Sequence, residues 1–181
     1  PGGGSAAAAS GAMAAGLASM VASMSRGKKA WVQYESRLGE AVARLAALRE
    51  ELTAAIDADA EAYNGVVKAY RAAKEAADGG KGVRAALEGA TSVPLGVAER
   101  AAEVERIAGE LKPMTNPRMS SDLATAMALA RAAVTGALAN VEVNLESMRL
   151  DLSKLDLPEG DAGDVFVEQT RRRAEALTAP A

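Results

Sequence analysis

Apolar residues recur at intervals of three to four along most of the chain, and this spacing limits the fold more than any other feature. Such intervals place side chains on one face of an α-helix. No segment alternates between apolar and polar residues for long enough to predict a β-strand. The clearest stripe lies in the middle of the chain, at Leu38, Val42, Leu45, Leu52, Ile56, Asp59, Tyr63, Val66 and Tyr70. The sequence therefore predicts an all-α fold.

Glycine and proline residues divide the periodic segments and predict where the helices end. The predicted helices cover about 5–25, 28–74, 83–111, 120–155 and 164–177, with serine caps at Ser5 and at Ser120 or Ser121. Pro94 lies inside the third helix and is expected to kink or split it, because proline lacks the backbone N–H. Loops recur too often for one extended coiled coil. We expect an antiparallel helical bundle of about five main helices, forming one domain over residues 1–181.

The residue counts exclude several kinds of chemistry and partner. The chain has no histidine and no cysteine, so imidazole and thiolate ligands and nucleophiles are excluded, and acid–base work falls to carboxylates, lysine or tyrosine. We expect no metal site. A formal net charge of −3 argues against nucleic acid as a partner, since phosphate binding needs a clustered positive surface. The absence of cysteine fits a reducing compartment and a cytoplasmic location.

The first 25 residues carry no charged side chain before Arg26, so a membrane segment has to be considered. A spanning helix needs about 20 strongly apolar residues, whereas this stretch consists mostly of alanine, glycine and serine. A secretory signal needs a basic start and a leucine-rich middle. Neither description fits, so we expect a buried helix with close small-residue contacts and no membrane partner.

Asp59 falls on the apolar stripe of the second predicted helix, within the stretch AIDADAEAYN, where a buried apolar group is expected. The acid could lie at a solvated edge of the stripe or pair with a basic side chain as a structural ion pair. Alternatively it faces a pocket, where desolvation disfavours the charged carboxylate and suits a general acid or base. Asp57 and Glu61 lie beside the stripe.

Three further motifs have both a functional and a structural interpretation. PGGGS leads into a helix start, where backbone N–H groups could bind an anion or where the terminus could simply be flexible. Lys28 and Lys29 could hold a carboxylate or be solvated. NPRMSSD is typical of a capped helix start. Asn140 and Asn144, one turn apart in an apolar helix, could bond to each other, to the backbone or to a partner chain.

Five segments, in order, resemble the cyclodeaminase/cyclohydrolase family of folate enzymes. They are PGGGSAAAASGAMAAGLASMV, GKKAW, DADAEAYNGVVKAYR, ATSVPLGVAE and NPRMSSDLATAMALARAAVTGALANVEVNL. The resemblance implies an all-helical subunit, a homodimer or higher homo-oligomer, and a tetrahydrofolate derivative as substrate without a further cofactor. The chain departs from the family in lacking a short helix before the glycines, in Arg118 where a second asparagine is common, and in lacking a Leu-Pro pair before DGGKG.

The resemblance also implies residue roles and two reactions. Asp59 is the proton-transfer candidate, supported by Asp57 and Asp122. The substrate-binding candidates are Gly2, Gly3, Gly4, Ser5, Lys28, Asn116 and Ser121. One reaction hydrolyses 5,10-methenyltetrahydrofolate to 10-formyltetrahydrofolate, and the other closes 5-formiminotetrahydrofolate with release of ammonia. We favour the hydrolase because we expect a lone domain without a fused formiminotransferase, with the cyclodeaminase and a non-catalytic helical oligomer as alternatives.

Overall fold

The computed structural model describes residues 2–75, 81–154 and 161–178. Five α-helices make up almost all of this part of the chain, and the described residues include no strand. The all-α prediction is therefore confirmed. The helices are α1 (Gly3–Ser25), α2 (Glu35–Glu75), α3 (Lys81–Leu111), α4 (Ser120–Lys154) and α5 (Asp161–Thr178).

Helix α1 lies at the centre of the bundle and packs against α2, α3 and α4. Its buried face consists of small residues, so neighbouring helices approach closely. A Cβ atom built on Gly11 would lie 3.2 Å from both methyl groups of Leu52, and one on Gly136 would lie 3.5 Å from the Cβ of Ala7. The alanine-rich composition of the first helix is therefore a packing requirement of the core.

Cross-helix contacts establish that α2 and α4 both run antiparallel to α1. The start of α1 meets the second half of α2 through Ser5 and Asp59, and Arg26, just after α1, forms an ion pair with Glu35 at the first residue of α2. On the other side, the hydroxyl of Ser10 donates to the carbonyl of Leu129. Gly3, which is earlier in α1, lies beside Asn140, which is later in α4. Each end of α1 therefore lies beside a different set of residues.

The apolar stripe of α2 is buried only in its first half. Leu38, Leu45 and Leu52 are fully buried, whereas Tyr63 is 68% exposed, so the expectation of one continuous buried stripe is wrong. The reason is the length of α1, which begins at Gly3 opposite Asp59. Beyond that point α2 has no α1 to pack against, and its apolar face becomes the wall of a cleft.

Charged side chains connect α2 to α3 on the surface. Arg44 donates hydrogen bonds to Glu103 at 2.8 and 2.6 Å, and Arg100 donates to Glu51 at 2.6 Å. The bonds from Arg44 hold the pKa of the Glu103 carboxyl below its usual range. Exposed pairs of this kind contribute little to stability, so they help to fix the register of the two helices more than they stabilise the bundle.

The predicted helix boundaries need four corrections. The first helix begins at Gly3, with Gly2 at the N-cap position, so Ser5 is not its cap. A 3₁₀ helix over Lys29–Tyr34 precedes α2, because Trp31 departs from helical geometry with φ −124° and ψ 17°. Of the two effects expected of Pro94, a kink or a split, the split does not occur, because α3 continues through it. The last helix begins three residues early.

Two predicted breaks lie largely outside the described residues. These are the DGGKG turn, of which Gly79 and Gly80 are not described, and the segment around residues 155–160. The turn at Gly27 is confirmed, since this residue has a positive φ of 66° that favours glycine.

Two helical stretches of the described chain, Gly3–Ser25 and Pro117–Leu150, are long and apolar enough to cross a membrane. In their most apolar windows, 44% and 33% of the residues are buried inside the bundle. The core helix of a globular bundle has the same length and composition, so these stretches are weak evidence for a membrane.

Truncating Leu52 tests the close packing between α1 and α2. We expect Leu52→Ala to lower the free energy of unfolding by about 2–5 kcal/mol, because the cavity opens beside Gly11, which has no side chain to fill it. Urea unfolding followed by circular dichroism measures the loss. Val32→Ala, at a position 66% exposed, is the control and should change stability by less than about 0.5 kcal/mol. Equal effects of the two variants would contradict this packing.

Candidate active site

A cleft of about 770 Å³ opens where α2 extends beyond the start of α1. Its volume lies within the range of small-molecule binding sites, about 300–1,000 Å³. The walls come from the first residues of α1 and from α2, α3 and α4. The lining residues are Gly2, Gly3, Asp59, Ala60, Tyr63, Asn64, Val66, Tyr70, Leu87, Ala90, Asn140, Val143, Asn144 and Ser147.

Asp59 is tied to the first turn of α1 by two hydrogen bonds. Its Oδ2 accepts from the backbone N–H of Ser5 at 2.8 Å and from the Ser5 hydroxyl at 2.8 Å. Helix α1 needs this partner because Gly2, at its N-cap, has no side chain to accept from the first-turn N–H groups. Asp59 therefore caps α1 from another helix, and the positive end of the α1 dipole favours a carboxylate there.

Gly4 allows the Asp59 carboxylate to come this close. A Cβ atom on Gly4 would lie 2.1 Å from Asp59 Oδ1 and 2.7 Å from its Cγ, which no real structure tolerates. Gly3 has the same function on the other side, since its Cβ would lie 2.8 Å from Asn140 Nδ2. The glycines thus let the backbone of α1 contact two polar side chains of the cleft directly.

The two carboxylate oxygens of Asp59 have different surroundings. Oδ2 is held by Ser5, whereas within the described part of the chain no protein group donates a hydrogen bond to Oδ1. Asp59 is half-buried and lines the cleft. Oδ1 lies against the backbone of Gly4 and is the carboxylate oxygen without a protein donor among the described residues.

Ser5 is buried, and its single hydroxyl proton has two acceptors within reach. Besides Asp59 Oδ2, the carbonyl of Ile56 lies 3.1 Å from Ser5 Oγ. A hydroxyl donates to one acceptor at a time. The proton can therefore point at Asp59 or turn to Ile56, leaving an Oγ lone pair towards the carboxyl group.

The cleft is lined, within the described chain, by one carboxyl group among apolar and neutral polar groups. Among its described lining residues, Asp59 is the sole carboxylate, and no lysine or arginine is present. Within the described residues, no cluster of three or more Asp or Glu side chains could hold a metal ion. This arrangement suits a neutral or cationic ligand with an apolar ring system.

The structure brings half of the predicted site residues together. Gly2 and Gly3 line the cleft with Asp59, while Gly4 and Ser5 lie directly behind it. Ser5 contacts Asp59 and is buried, so the geometry gives it a positioning role. Asp57 is exposed and does not line the cleft, so the geometry gives no support to its predicted catalytic role.

The other four predicted residues lie at the far end of α1. Asn116 contacts the C-terminal end of this helix, where its N–H lies 3.4 Å from the hydroxyl of Ser25. Lys28 follows in the adjoining turn, and Ser121 and Asp122 begin α4. The 23 residues of α1 extend over about 33 Å. Lys28, Asn116, Ser121 and Asp122 therefore do not reach Asp59 within one chain.

The sequence pattern gave no site role to several polar residues of the cleft, among them two asparagines of α4 and two tyrosines of α2. For Asn140 and Asn144 the sequence left bonds to each other, to the backbone or to a partner chain open, and the bonds to the backbone are confirmed. Tyr63 and Tyr70 were expected on the apolar stripe of the second helix. All four line the cleft together with Asp59. The available signal was that the asparagines and the tyrosines are polar groups on otherwise apolar helix faces, as Asp59 is.

Three comparisons with known proteins find similarity to related folate enzymes. Residues 1–155 match the family described as formiminotransferase-cyclodeaminase. A methenyltetrahydrofolate cyclohydrolase of Methylorubrum extorquens is 39% identical over 153 residues, which cover 82% of this chain and 73% of the relative. The crystal structure of a formiminotetrahydrofolate cyclodeaminase from Thermotoga maritima aligns with a TM-score of 0.74 and 27% identity, covering 98% of this chain and 87% of that one.

The chain therefore belongs to the formiminotransferase-cyclodeaminase family. A formimidoyltransferase-cyclodeaminase of Rattus norvegicus is 33% identical over 181 residues, which cover 98% of this chain but only 31% of the relative. The chain therefore spans less than a third of the length of the rat protein. The resemblance recognised in the sequence is confirmed.

Substituting Gly4 tests the contact between α1 and Asp59. We expect Gly4→Ala to destabilise the fold by about 1–3 kcal/mol, although alanine favours helices, because its Cβ would overlap Asp59 Oδ1. Urea unfolding measures the stability, and the ¹⁵N–¹H signal of Ser5 reports the bond to Asp59. Gly2→Ala meets nothing within 4 Å and is the matched control. A Gly4→Ala variant with wild-type stability and an unmoved Ser5 signal would refute the contact.

Proposed function

We propose that the chain is a methenyltetrahydrofolate cyclohydrolase, which converts 5,10-methenyltetrahydrofolate to 10-formyltetrahydrofolate. The proposal depends on one observation, the lone Asp59 carboxylate with an uncommitted Oδ1 at a ligand-sized cleft. The relative from Methylorubrum extorquens, with 39% identity, has this activity in its name. The fold and the carboxylate together favour a folate one-carbon enzyme over a non-catalytic helical oligomer.

The cleft has the chemistry that this substrate requires. The methenyl bridge carries a positive charge, which is stabilised near the Asp59 carboxylate. The apolar and aromatic surfaces of Val66, Tyr63 and Val143 suit a flat ring system. Tyr63 and Val143 are 68% and 65% exposed, so a bound ring would remove apolar surface from water.

Asp59 would act first as a base and then as an acid. Its Oδ1 accepts a proton from a water molecule while the water oxygen attacks the bridging carbon between the two folate nitrogens. The carboxylic acid then returns a proton to nitrogen 5 as the bond from this nitrogen to the carbon breaks. The hydroxyl on the carbon loses its proton to solvent and becomes the formyl carbonyl. One water is consumed and one proton is released. The charges balance, because the methenyl bridge is cationic and the formyl group is neutral.

Ser5 would let Asp59 change its protonation state without losing its position. The Ser5 hydroxyl donates to the ionised carboxylate at Oδ2 and can turn to the carbonyl of Ile56 when the carboxyl is protonated. The backbone N–H of Ser5 holds the same oxygen throughout. Ser5 thus positions the acid–base group while making no bond to the substrate.

The second candidate is formiminotetrahydrofolate cyclodeaminase, which the names of the Thermotoga maritima structure and the rat relative favour. In that reaction nitrogen 10 attacks the formimino carbon, and ammonia leaves after protonation. The same carboxylate could take the proton from nitrogen 10 and give it to the leaving nitrogen. Incubation with each substrate separates the two, because hydrolysis removes the methenyl absorbance whereas cyclisation releases ammonia.

The hydrolysis as written consumes only substrate and water. We therefore propose that the enzyme needs no cofactor and no metal ion, and that it acts in the cytoplasm without a nucleic-acid or membrane partner. A chain without cysteine is compatible with such a reducing compartment.

We further propose a homodimer in which α1 packs antiparallel against α1 of a second copy. Met13, Met20 and Met24 lie at intervals of seven and four and are 57%, 40% and 57% exposed, so they form an apolar stripe along α1. A two-fold axis across this stripe would place the far end of one α1 beside the start of the other. Lys28 of the partner subunit would then approach the Asp59 cleft. Lys28 of the same chain lies too far from Asp59 to do so.

Replacing Asp59 by asparagine tests the catalytic assignment. We expect Asp59→Asn to lower kcat by about 10²–10⁴-fold, because the amide cannot accept the proton that water loses. Its Oδ1 can still accept from the Ser5 N–H, so the fold should persist. Loss of absorbance from methenyltetrahydrofolate measures turnover, and circular dichroism checks folding.

Glu61→Gln is the matched control for this experiment. Glu61 lies two residues further along α2, is exposed and does not line the cleft, so its kcat should stay close to that of the wild type. If Asp59→Asn turns over at the wild-type rate, the catalytic assignment is wrong. An equal loss of kcat in Glu61→Gln would also contradict it.

A mixed dimer tests whether two chains share one site. We expect Asp59→Asn and Lys28→Ala each to inactivate the homodimer. A heterodimer of the two variants contains one intact site and should regain about half of the wild-type activity. Co-expression with two different affinity tags and tandem purification isolates this species. If each site is complete within one chain, the heterodimer will be as inactive as its parents.

A further inference from the structure

Pro94 leaves a backbone carbonyl of α3 without its helical partner at the wall of the cleft. In an α-helix the N–H of residue 94 bonds to the carbonyl of residue 90, and proline has no N–H. The side chain of Asn144 on α4 replaces it, since Asn144 Nδ2 donates to the carbonyl oxygen of Ala90 at 2.8 Å. Both Ala90 and Asn144 line the cleft. This bond explains how α3 continues through a proline.

The bond also fixes which way the Asn144 amide points. Only the NH₂ group of the amide can donate to a carbonyl, so Oδ1 is left as the acceptor. Asn140, one turn earlier on α4, is fixed in the same way, because its Nδ2 donates to the carbonyl of Gly136 at 2.8 Å. Within the described chain, no protein group donates to Oδ1 of either asparagine. The cleft thus contains two oriented acceptors without donors.

We propose that Asn140 and Asn144 determine ligand specificity by accepting hydrogen bonds from N–H groups on the heterocycle of the ligand. The proposal rests on the proposed function, in which that heterocycle is a reduced pterin. Such a ring has an amino group and ring N–H groups along its edge, and these donors lose their water on entering the cleft. Two anchored carbonyl oxygens one helical turn apart restore the lost bonds without any rearrangement. Asp59 then contacts the reacting end of a ring whose orientation the asparagines have set.

Equilibrium binding of 5-formyltetrahydrofolate, a chemically stable reduced folate, tests the proposal. We expect Asn140→Leu and Asn144→Leu each to raise the Kd about tenfold, since a ligand N–H loses its acceptor. Isothermal titration calorimetry measures the Kd. Gln169→Leu is the control, because Gln169 is an exposed side-chain amide on α5 that does not line the cleft. The Kd of this control variant for 5-formyltetrahydrofolate should rise by less than threefold.

Pro94→Ala separates ligand recognition from a purely structural role of Asn144. Alanine restores the N–H that can bond to the Ala90 carbonyl, so Ala90 no longer needs Asn144. If Asn144 only satisfied Ala90, then adding Pro94→Ala to Asn144→Leu would restore wild-type binding. We expect instead that the double variant recovers its urea midpoint relative to Asn144→Leu but still binds about tenfold more weakly than Pro94→Ala alone.

The outcomes distinguish this inference from the proposed function. Wild-type protein that binds 5-formyltetrahydrofolate while both asparagine variants bind equally well overturns the inference and leaves the proposed function standing. Full restoration of binding by Pro94→Ala also overturns it. Failure of the wild-type protein to bind any reduced folate overturns both.

Discussion

The hydrogen bonds between Asp59 and Ser5 are the interaction on which the rest of the structure depends. A helix that begins with glycines has no side chain to satisfy its first N–H groups, so α1 needs an acceptor from elsewhere. Asp59 supplies it from the middle of α2. Because α1 packs against three other helices, this one carboxylate fixes the start of the central helix and at the same time faces the cleft. In the proposed function, stability and chemistry therefore depend on the same side chain.

The cleft follows from a difference in helix lengths. Helix α2 has 41 residues and α1 has 23, so α2 continues beyond the point where α1 begins. Side chains that would be buried in a longer bundle, such as Tyr63 and Val66, instead form a wall. The glycines at the start of α1 let its backbone form the floor, since any Cβ at Gly4 would displace the carboxylate. The described residues that line the cleft thus come from four helices and the N-cap of α1.

The sequence predicted the helices well and the site in part, for physical reasons that differ between residues. Periodic apolar spacing located five helices, and an acid on the stripe identified Asp59. The exposure of Tyr63 was missed because periodicity reports a helix face but not where the neighbouring helix ends. Ser5 was predicted as a site residue, and a bond from Asn144 to the backbone was one of three alternatives. Their partners, Asp59 and Ala90, were not predicted, because each contact joins residues that are distant in the sequence. The predicted binding residues Lys28 and Asn116 lie at the other end of α1 from Asp59, which no local pattern could reveal.

A crystal structure with a bound reduced folate would test the central claim most directly. That claim is that Oδ1 of Asp59 takes a proton from the water that attacks the one-carbon bridge and returns a proton to nitrogen 5 of the substrate. The account predicts that the bridge atoms or the attacking water lie within about 3.2 Å of Asp59 Oδ1, with Oδ2 still bonded to Ser5. A folate bound elsewhere, with Asp59 held against α1 and out of reach of the bridge, would contradict it.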